Sequence, residues 1–173
     1  VSDDKEILDA TCGGRSIWHP ENKDHDNTLY VDRREEAPGF TTDGYDGHYE
    51  SYSVEPDEVQ DFRDLPYEDE KFNLIVFDPP HVVKDGGMES LAGAVQRKYG
   101  ALEAETWQED LRVGFEELWR VLAPGGTLTF KFANNSADWD EVLSLAPTEP
   151  LYGTMNSKRT GVETRWFVFY KDE

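Results

Sequence analysis

The chain has 173 residues, with 37 acids against 17 bases, a net charge of −20, 37% hydrophobic and 13% aromatic content. That is enough for one domain with a real core and too aromatic for a disordered segment, yet too acidic to grip nucleic-acid phosphates in dilute buffer without a local cationic patch. A single cysteine, Cys12, excludes an intrachain disulfide and a cysteine-rich zinc site, the scattered histidines lack ligand spacing, and no apolar run reaches bilayer length. The expectation is a soluble, cytoplasmic protein that binds no metal.

Glu6-Ile7-Leu8-Asp9-Ala10 reads as a short first strand. The loop Thr11-Cys12-Gly13-Gly14-Arg15-Ser16 follows, with glycines that let the backbone approach a ligand. Ser16 is placed to cap a short helix starting near Ile17, but Pro20 and the polar run 21–27 leave no room for a full-length one. Thr28-Leu29-Tyr30-Val31-Asp32 is the second strand, and Asp32 stands 23 residues after Asp9. A carboxylate about 20 residues beyond a glycine turn is the spacing of a ribose-hydroxyl acceptor, and the alternative is an ordinary acid at a strand end. Residues 33–57 are polar and rich in glycine and tyrosine; Tyr45, Tyr49 and Tyr52 either line a ligand or pack locally, local packing being the expectation.

Residues 58–61 form a weak strand, followed by Phe62-Arg63-Asp64-Leu65-Pro66-Tyr67. In Phe72-Asn73-Leu74-Ile75-Val76-Phe77 the last four residues are apolar without alternation, the pattern of a strand buried on both faces. It stops at Asp78-Pro79-Pro80-His81, because proline cannot continue a central strand. An acid and a ring therefore stand at the carboxyl end of a parallel strand, where open α/β sheets place their ligands. Residues 82–105, with four glycines and Lys84, Arg97 and Lys98, read as a mobile segment beside that end.

Residues 106–122 carry Trp107, Leu111, Phe115, Leu118, Trp119 and Leu122 at helical spacing, with Thr106 as N-cap and Glu109 completing a capping box. Ala123-Pro124-Gly125-Gly126 is a turn into a strand over 127–132. A short helix over 137–145, a strand over 151–155, a polar loop over 156–161 and a last strand over 164–170 complete the chain. The whole reads as a single domain over residues 1–173, with no separate target-recognition domain.

Asp78-Pro79-Pro80-His81 resembles the Asp-Pro-Pro-aromatic motif of S-adenosylmethionine-dependent methyltransferases that act on exocyclic amino groups of adenine or cytosine. Asp9-Ala10-Thr11-Cys12-Gly13 is similar to motif I of class I methyltransferases, though Thr11 and Arg15 stand where glycines are common. The segment from Asp61 to the aromatic Tyr67 resembles the stretch whose acid and following residue meet the adenine ring, which assigns Asp61 and Phe62 to that role. Leu122-Ala123-Pro124-Gly125-Gly126 resembles the lead-in to the fifth strand of that family. The overall pattern looks like the small single-domain enzymes of phages and archaeal viruses, and the excess of acid over lysine is similar to that of proteins from salt-loving archaea.

The resemblance implies an α/β, Rossmann-like fold: a mostly parallel seven-stranded sheet in the order 3-2-1-4-5-7-6, an antiparallel last strand, and helices on both faces. It implies S-adenosyl-L-methionine as cofactor, held by Asp9, Ala10, Thr11, Cys12, Gly13, Asp32, Asp61, Phe62 and Asp78. Asp78, Pro79, Pro80 and His81 become the catalytic residues, the Asp78 carboxylate and Pro79 carbonyl gripping an amine whose lone pair is otherwise delocalised. Reacting atoms must then approach within about 3 Å in line. The acceptor is a base in nucleic acid, DNA ahead of RNA, single-stranded or flipped from its stack. His81, Lys84, Lys158 and Arg159 would meet it, with Arg97 and Lys98 extending the cationic rim. The alternatives are a methyltransferase for a small molecule or protein, and a non-catalytic cofactor-binding subunit of a larger complex. A nicotinamide dehydrogenase is disfavoured because no complete Gly-x-Gly-x-x-Gly is present.

Overall fold

The apolar run around Ile75 becomes β4 (Phe72–Phe77), the middle of the sheet, in which Phe72, Ile75 and Phe77 are fully buried. It lies parallel between β1 (Ile7–Asp9) and the long β7 (Leu122–Ala133). The computed structural model describes residues 4–41, 51–155 and 161–173. Outward from β1 come β2 (Thr28–Asp32) and β3 (Glu58–Val59), both parallel. Beyond β7 lie β9 (Thr164–Tyr170) and the edge strand β8 (Tyr152–Gly153), each antiparallel to its neighbour. The sheet order is therefore β3-β2-β1-β4-β7-β9-β8; counted within this sheet alone, it is 3-2-1-4-5-7-6.

The stripe expected of residues 106–122 forms α2 (Trp107–Val121), whose Leu111, Phe115 and Leu118 are fully buried. Phe115 meets Phe77, Phe130 and Phe169 with ring centroids 5.4, 5.0 and 6.0 Å apart, so one helix face joins three strands through edge-on aromatic contacts. The capping box does not form. Thr106 donates its hydroxyl to Asp110 Oδ2 at 2.8 Å, and Glu109 pairs instead with Arg112. The Ala123-Pro124-Gly125-Gly126 turn is folded into β7 as a bulge: Phe72 pairs with Leu122, but Leu74 pairs with Thr127.

Three expectations require correction. No helix begins at Ile17, and between Ala10 and Asn27 there is only the 3-10 turn Pro20–Asn22. The competing interactions are specific: the Trp18 indole N–H donates to Asp9 Oδ2 at 2.7 Å, and Arg15, at φ 54°, stacks 3.8 Å from the Tyr30 ring. Helices thus cover this sheet only sparsely among the described residues: α1 (Gly93–Tyr99), α2 and α3 (Trp139–Leu143) all follow β4. Next, the stretch read as mobile is a built insert: β5 (Val83–Lys84), a 3-10 turn over Gly87–Ser90, α1 and β6 (Leu102–Glu103), with β5 and β6 paired in parallel. Finally, the strand read over 151–155 shrinks to Tyr152–Gly153. Among the described residues no helix is long and apolar enough to cross a membrane.

Candidate functional site

The carboxyl ends of β1, β2 and β4 are tied together by side chain to backbone bonds. Asp32, at the tip of β2, accepts the Gly13 N–H at 2.9 Å on Oδ2 and the Arg34 N–H at 3.0 Å on Oδ1. Thr11 accepts the Asp78 N–H at 2.8 Å, which pins β4's end to the glycine turn. A threonine where the motif often has glycine is thus a structural gain. Tyr52 accepts the Gly14 N–H at 2.8 Å, and its ring lies where a Gly14 Cβ would stand, 2.3 Å from Cε2. Only glycine fits there. Gly13, at φ 49°, takes the left-handed turn itself.

These residues line a cleft at the carboxyl end of the sheet, the place where open α/β sheets bind ligands. Ala10, Thr11, Cys12, Gly13, Asp32, Phe62 and Asp78, all foreseen as cofactor residues, line it. Its other walls include Arg33, Arg34 and Tyr52, with Met88, Lys98, Tyr99 and Gly100 from the insert. Arg34 fastens that insert by donating to the carbonyls of Arg97 and Lys98 at 2.8 and 3.1 Å, at the C-terminal end of α1. Cys12 is buried, and burial first, then Asp9 and Asp32, push its thiol far above the ordinary range.

A second, roomier cleft opens beside the first and shares with it Ser16, Asp78, Pro80, Tyr99 and Gly100. Pro79, His81, Val95, Gln96, Lys131, Asn135 and Thr164 also line it. Asp78 sits at the seam. Its Oδ1 is 2.9 Å from His81 Nε2, and its Oδ2 accepts from Lys131 Nζ at 2.9 Å. A carboxylate only accepts, so the His81 tautomer is the one protonated at Nε2. The His81 ring packs on Phe132, 5.1 Å between centroids.

The structure separates three foreseen residues from the clefts. Asp9 is fully buried beneath the turn, where burial raises its carboxyl to about 7 despite the bond from Trp18. It braces residues 9–18 and lines neither cleft. Asp61 lines neither cleft: Arg63 captures both its oxygens through Nε at 2.9 Å and Nη2 at 2.6 Å, and its backbone N–H adds a bond at 3.0 Å. Burial raises the Asp61 carboxyl, but Arg63 outweighs it and holds the group below the usual range. Lys84 spends its ammonium on the Ser90 carbonyl and Gln96 Oε1, both inside the insert. Tyr45, Tyr49, Lys158 and Arg159 lie outside the described residues.

Lys131, Arg34 and Tyr99 are site residues that sequence reasoning missed. The one available signal was a lysine within the apolar strand Thr127-Leu128-Thr129-Phe130-Lys131-Phe132. Among the described residues, no cluster of three or more His, Cys, Asp or Glu is arranged to hold a metal ion.

No protein-family profile matches this chain, and no curated protein matches it. Solved structures do. One from Methanosarcina mazei, described as a SAM-dependent methyltransferase, superposes with a TM-score of 0.54 over all of this chain and 95% of its own, at 13% identity. The fold is shared with a methyltransferase. The PH0226 protein of Pyrococcus horikoshii OT3 superposes with a TM-score of 0.53 over 96% of this chain and 81% of its own, at 17% identity.

Proposed function

We propose that the chain is an S-adenosylmethionine-dependent methyltransferase whose acceptor is the exocyclic amino group of adenine or cytosine in nucleic acid, DNA ahead of RNA. The observation that carries this reading is the seam: one carboxylate, Asp78, faces a glycine-turn cleft on one side and a separate cleft on the other. The residues fit the cofactor. The first cleft has a backbone cradle at Gly13 and Gly14, an acid at the neighbouring strand tip and an apolar ring, Phe62, in its wall. Asp32 retains carboxylate lone pairs for ribose hydroxyls after accepting two backbone N–H groups. Bound there, the cofactor supplies an electrophilic methyl group.

This chain's part is to orient the acceptor and take charge from it. Asp78 accepts an amine N–H on a lone pair left by Lys131 and His81, and the Pro79 carbonyl accepts the other. Both bonds draw the amine's lone pair out of ring conjugation and towards the methyl-bearing side. Thr11 holds the Asp78 backbone, so the carboxylate is placed before the acceptor arrives.

Lys131 favours a second reading, transfer to a hydroxyl of a small molecule. An ammonium and a carboxylate 2.9 Å apart can donate to and accept from one hydroxyl, whereas an ammonium opposes the positive charge that develops on an attacking amine. Transfer of labelled methyl to DNA, RNA, nucleosides and small alcohols at high salt, followed by identification of the product, decides between them. Calorimetry with S-adenosylmethionine tests the common premise; absence of binding removes both readings. Asp78→Ala is expected to abolish transfer with cofactor affinity largely kept, and unchanged turnover would refute its role.

A further inference from the structure

His81 occupies the ring position of the Asp-Pro-Pro-His segment, yet it is not free to carry a stacked acceptor. Its Nε2 is bound to Asp78, its ring lies on Phe132, and its side chain is only 20% exposed. Tyr99 has the opposite character. It ends α1, lines both clefts and remains 51% exposed, among the large hydrophobic residues most open to solvent. Its neighbour Gly100, at φ 78°, packs against Met88 and Pro80, where an added Cβ would stand 2.9 Å from Met88 Sδ and 3.2 Å from Pro80 Cγ. Tyr99 is thereby held beside the Asp-Pro-Pro tip. Lys98 Nζ lies 4.8 Å from the Tyr99 ring centroid and 4.8 Å from that of Tyr52. An aromatic ring with one polar tip, left open at a cleft mouth, is the side chain that a planar ligand covers at small entropic cost.

We propose that Tyr99, supplied by the insert, is the platform on which a planar heteroaromatic acceptor stacks, and that His81 is a positioning residue for Asp78. Tyr99 is then a specificity-determining residue: it selects acceptors with a π face, a nucleobase above all. This rests on the methyl-transfer reading and deepens it.

The probe is a single-stranded DNA oligonucleotide carrying 2-aminopurine, with S-adenosylhomocysteine present, because stacking quenches its fluorescence without any turnover. The intact chain is expected to quench it. Tyr99→Phe and Tyr99→Trp should retain quenching, while Tyr99→Ala and Tyr99→Leu should weaken oligonucleotide affinity on the order of 10- to 100-fold. Because Tyr99 also lines the first cleft, calorimetric affinity for S-adenosylmethionine is measured beside it, and in Tyr99→Ala and Tyr99→Leu it should fall by much less than the oligonucleotide affinity. His81→Ala should keep the quenching and lose turnover. The proposal is overturned if the intact chain binds cofactor but does not quench the probe. It is also overturned if Tyr99→Leu binds like Tyr99→Phe, or if His81→Ala rather than Tyr99→Ala loses the stack. A chain that binds no cofactor at all refutes the methyl-transfer reading itself, a separate outcome of the same calorimetry.

Discussion

Gly114 stands in the middle of α2 directly against Phe62, and replacing it by alanine sets two effects of opposite sign against each other. Glycine to alanine inside a helix ordinarily stabilises by about 1 kcal/mol. Here the new Cβ would lie 2.4 and 2.5 Å from Phe62 Cε2 and Cδ2, where carbon atoms normally sit about 3.5–4.0 Å apart. The ring has little room to retreat, since Phe62 is buried and its centroid is 5.0 Å from that of Phe77. Overpacking of this kind costs roughly 1–3 kcal/mol, so the loss outweighs the gain by up to about 2 kcal/mol. For a domain of this size that lowers Tm by several degrees, at roughly 2–4 °C per kcal/mol. The open direction for Phe62 is the first cleft, which it lines, so S-adenosylmethionine should bind about tenfold more weakly, a change of about 1.4 kcal/mol. Differential scanning calorimetry and titration calorimetry measure the two effects. Gly114→Ala combined with Phe62→Leu should recover the lost Tm. A single variant with raised Tm and unaltered affinity would show that the helix term dominates and that Phe62 does not shape the cleft.

Asp9 gives a pH signature. Its folded carboxyl is raised to about 7 from 3.8, so the stability of holding it protonated is full below the unfolded value and is lost as pH rises through about 7. Relative to Asp9→Asn, the chain should lose about 3 kcal/mol between about pH 5 and pH 8 in urea unfolding; parallel profiles would contradict this. Arg34→Met removes both bonds that fasten the end of α1, and limited proteolysis should then cut within the insert faster while the central sheet stays protected; equal cutting rates would count against the clasp. Cys12, buried and held far from thiolate, should react with a thiol reagent much more slowly than the unfolded chain, and equal rates would show it is accessible.

Much of the frame was legible because it rests on local pattern. The uninterrupted apolar run at Leu74, Ile75, Val76 and Phe77 can only be covered on both faces, and the helical stripe from Trp107 onward can only face a core. Asp32, Thr11 and Asp78 were legible because strand tips on one sheet edge converge. What failed was decided by partners far apart in sequence or by a close competitor. Asp61 has Arg63 two residues on, and that guanidinium holds both carboxylate oxygens away from the clefts. Trp18 reaches back to the buried Asp9, which removes the helix that Ser16 would have capped. Lys131 looks like an outward-facing strand lysine until β4 places Asp78, 53 positions earlier, beside it. The insert was misread because its glycines stand at left-handed turns between short elements, as Gly86, Gly93 and Gly100 do, rather than in a slack loop.

The order in which β9 and β8 join the sheet also bears on biogenesis. Among the described residues β8 pairs with β9 alone, and β9 is the later of the two in the chain. During vectorial synthesis the penultimate strand therefore leaves the ribosome with no docking edge and must wait until Thr164–Tyr170 has emerged and zipped onto β7. Closure of the sheet is thus a late, long-range event, and the nascent chain is most vulnerable to aggregation in the interval just before it.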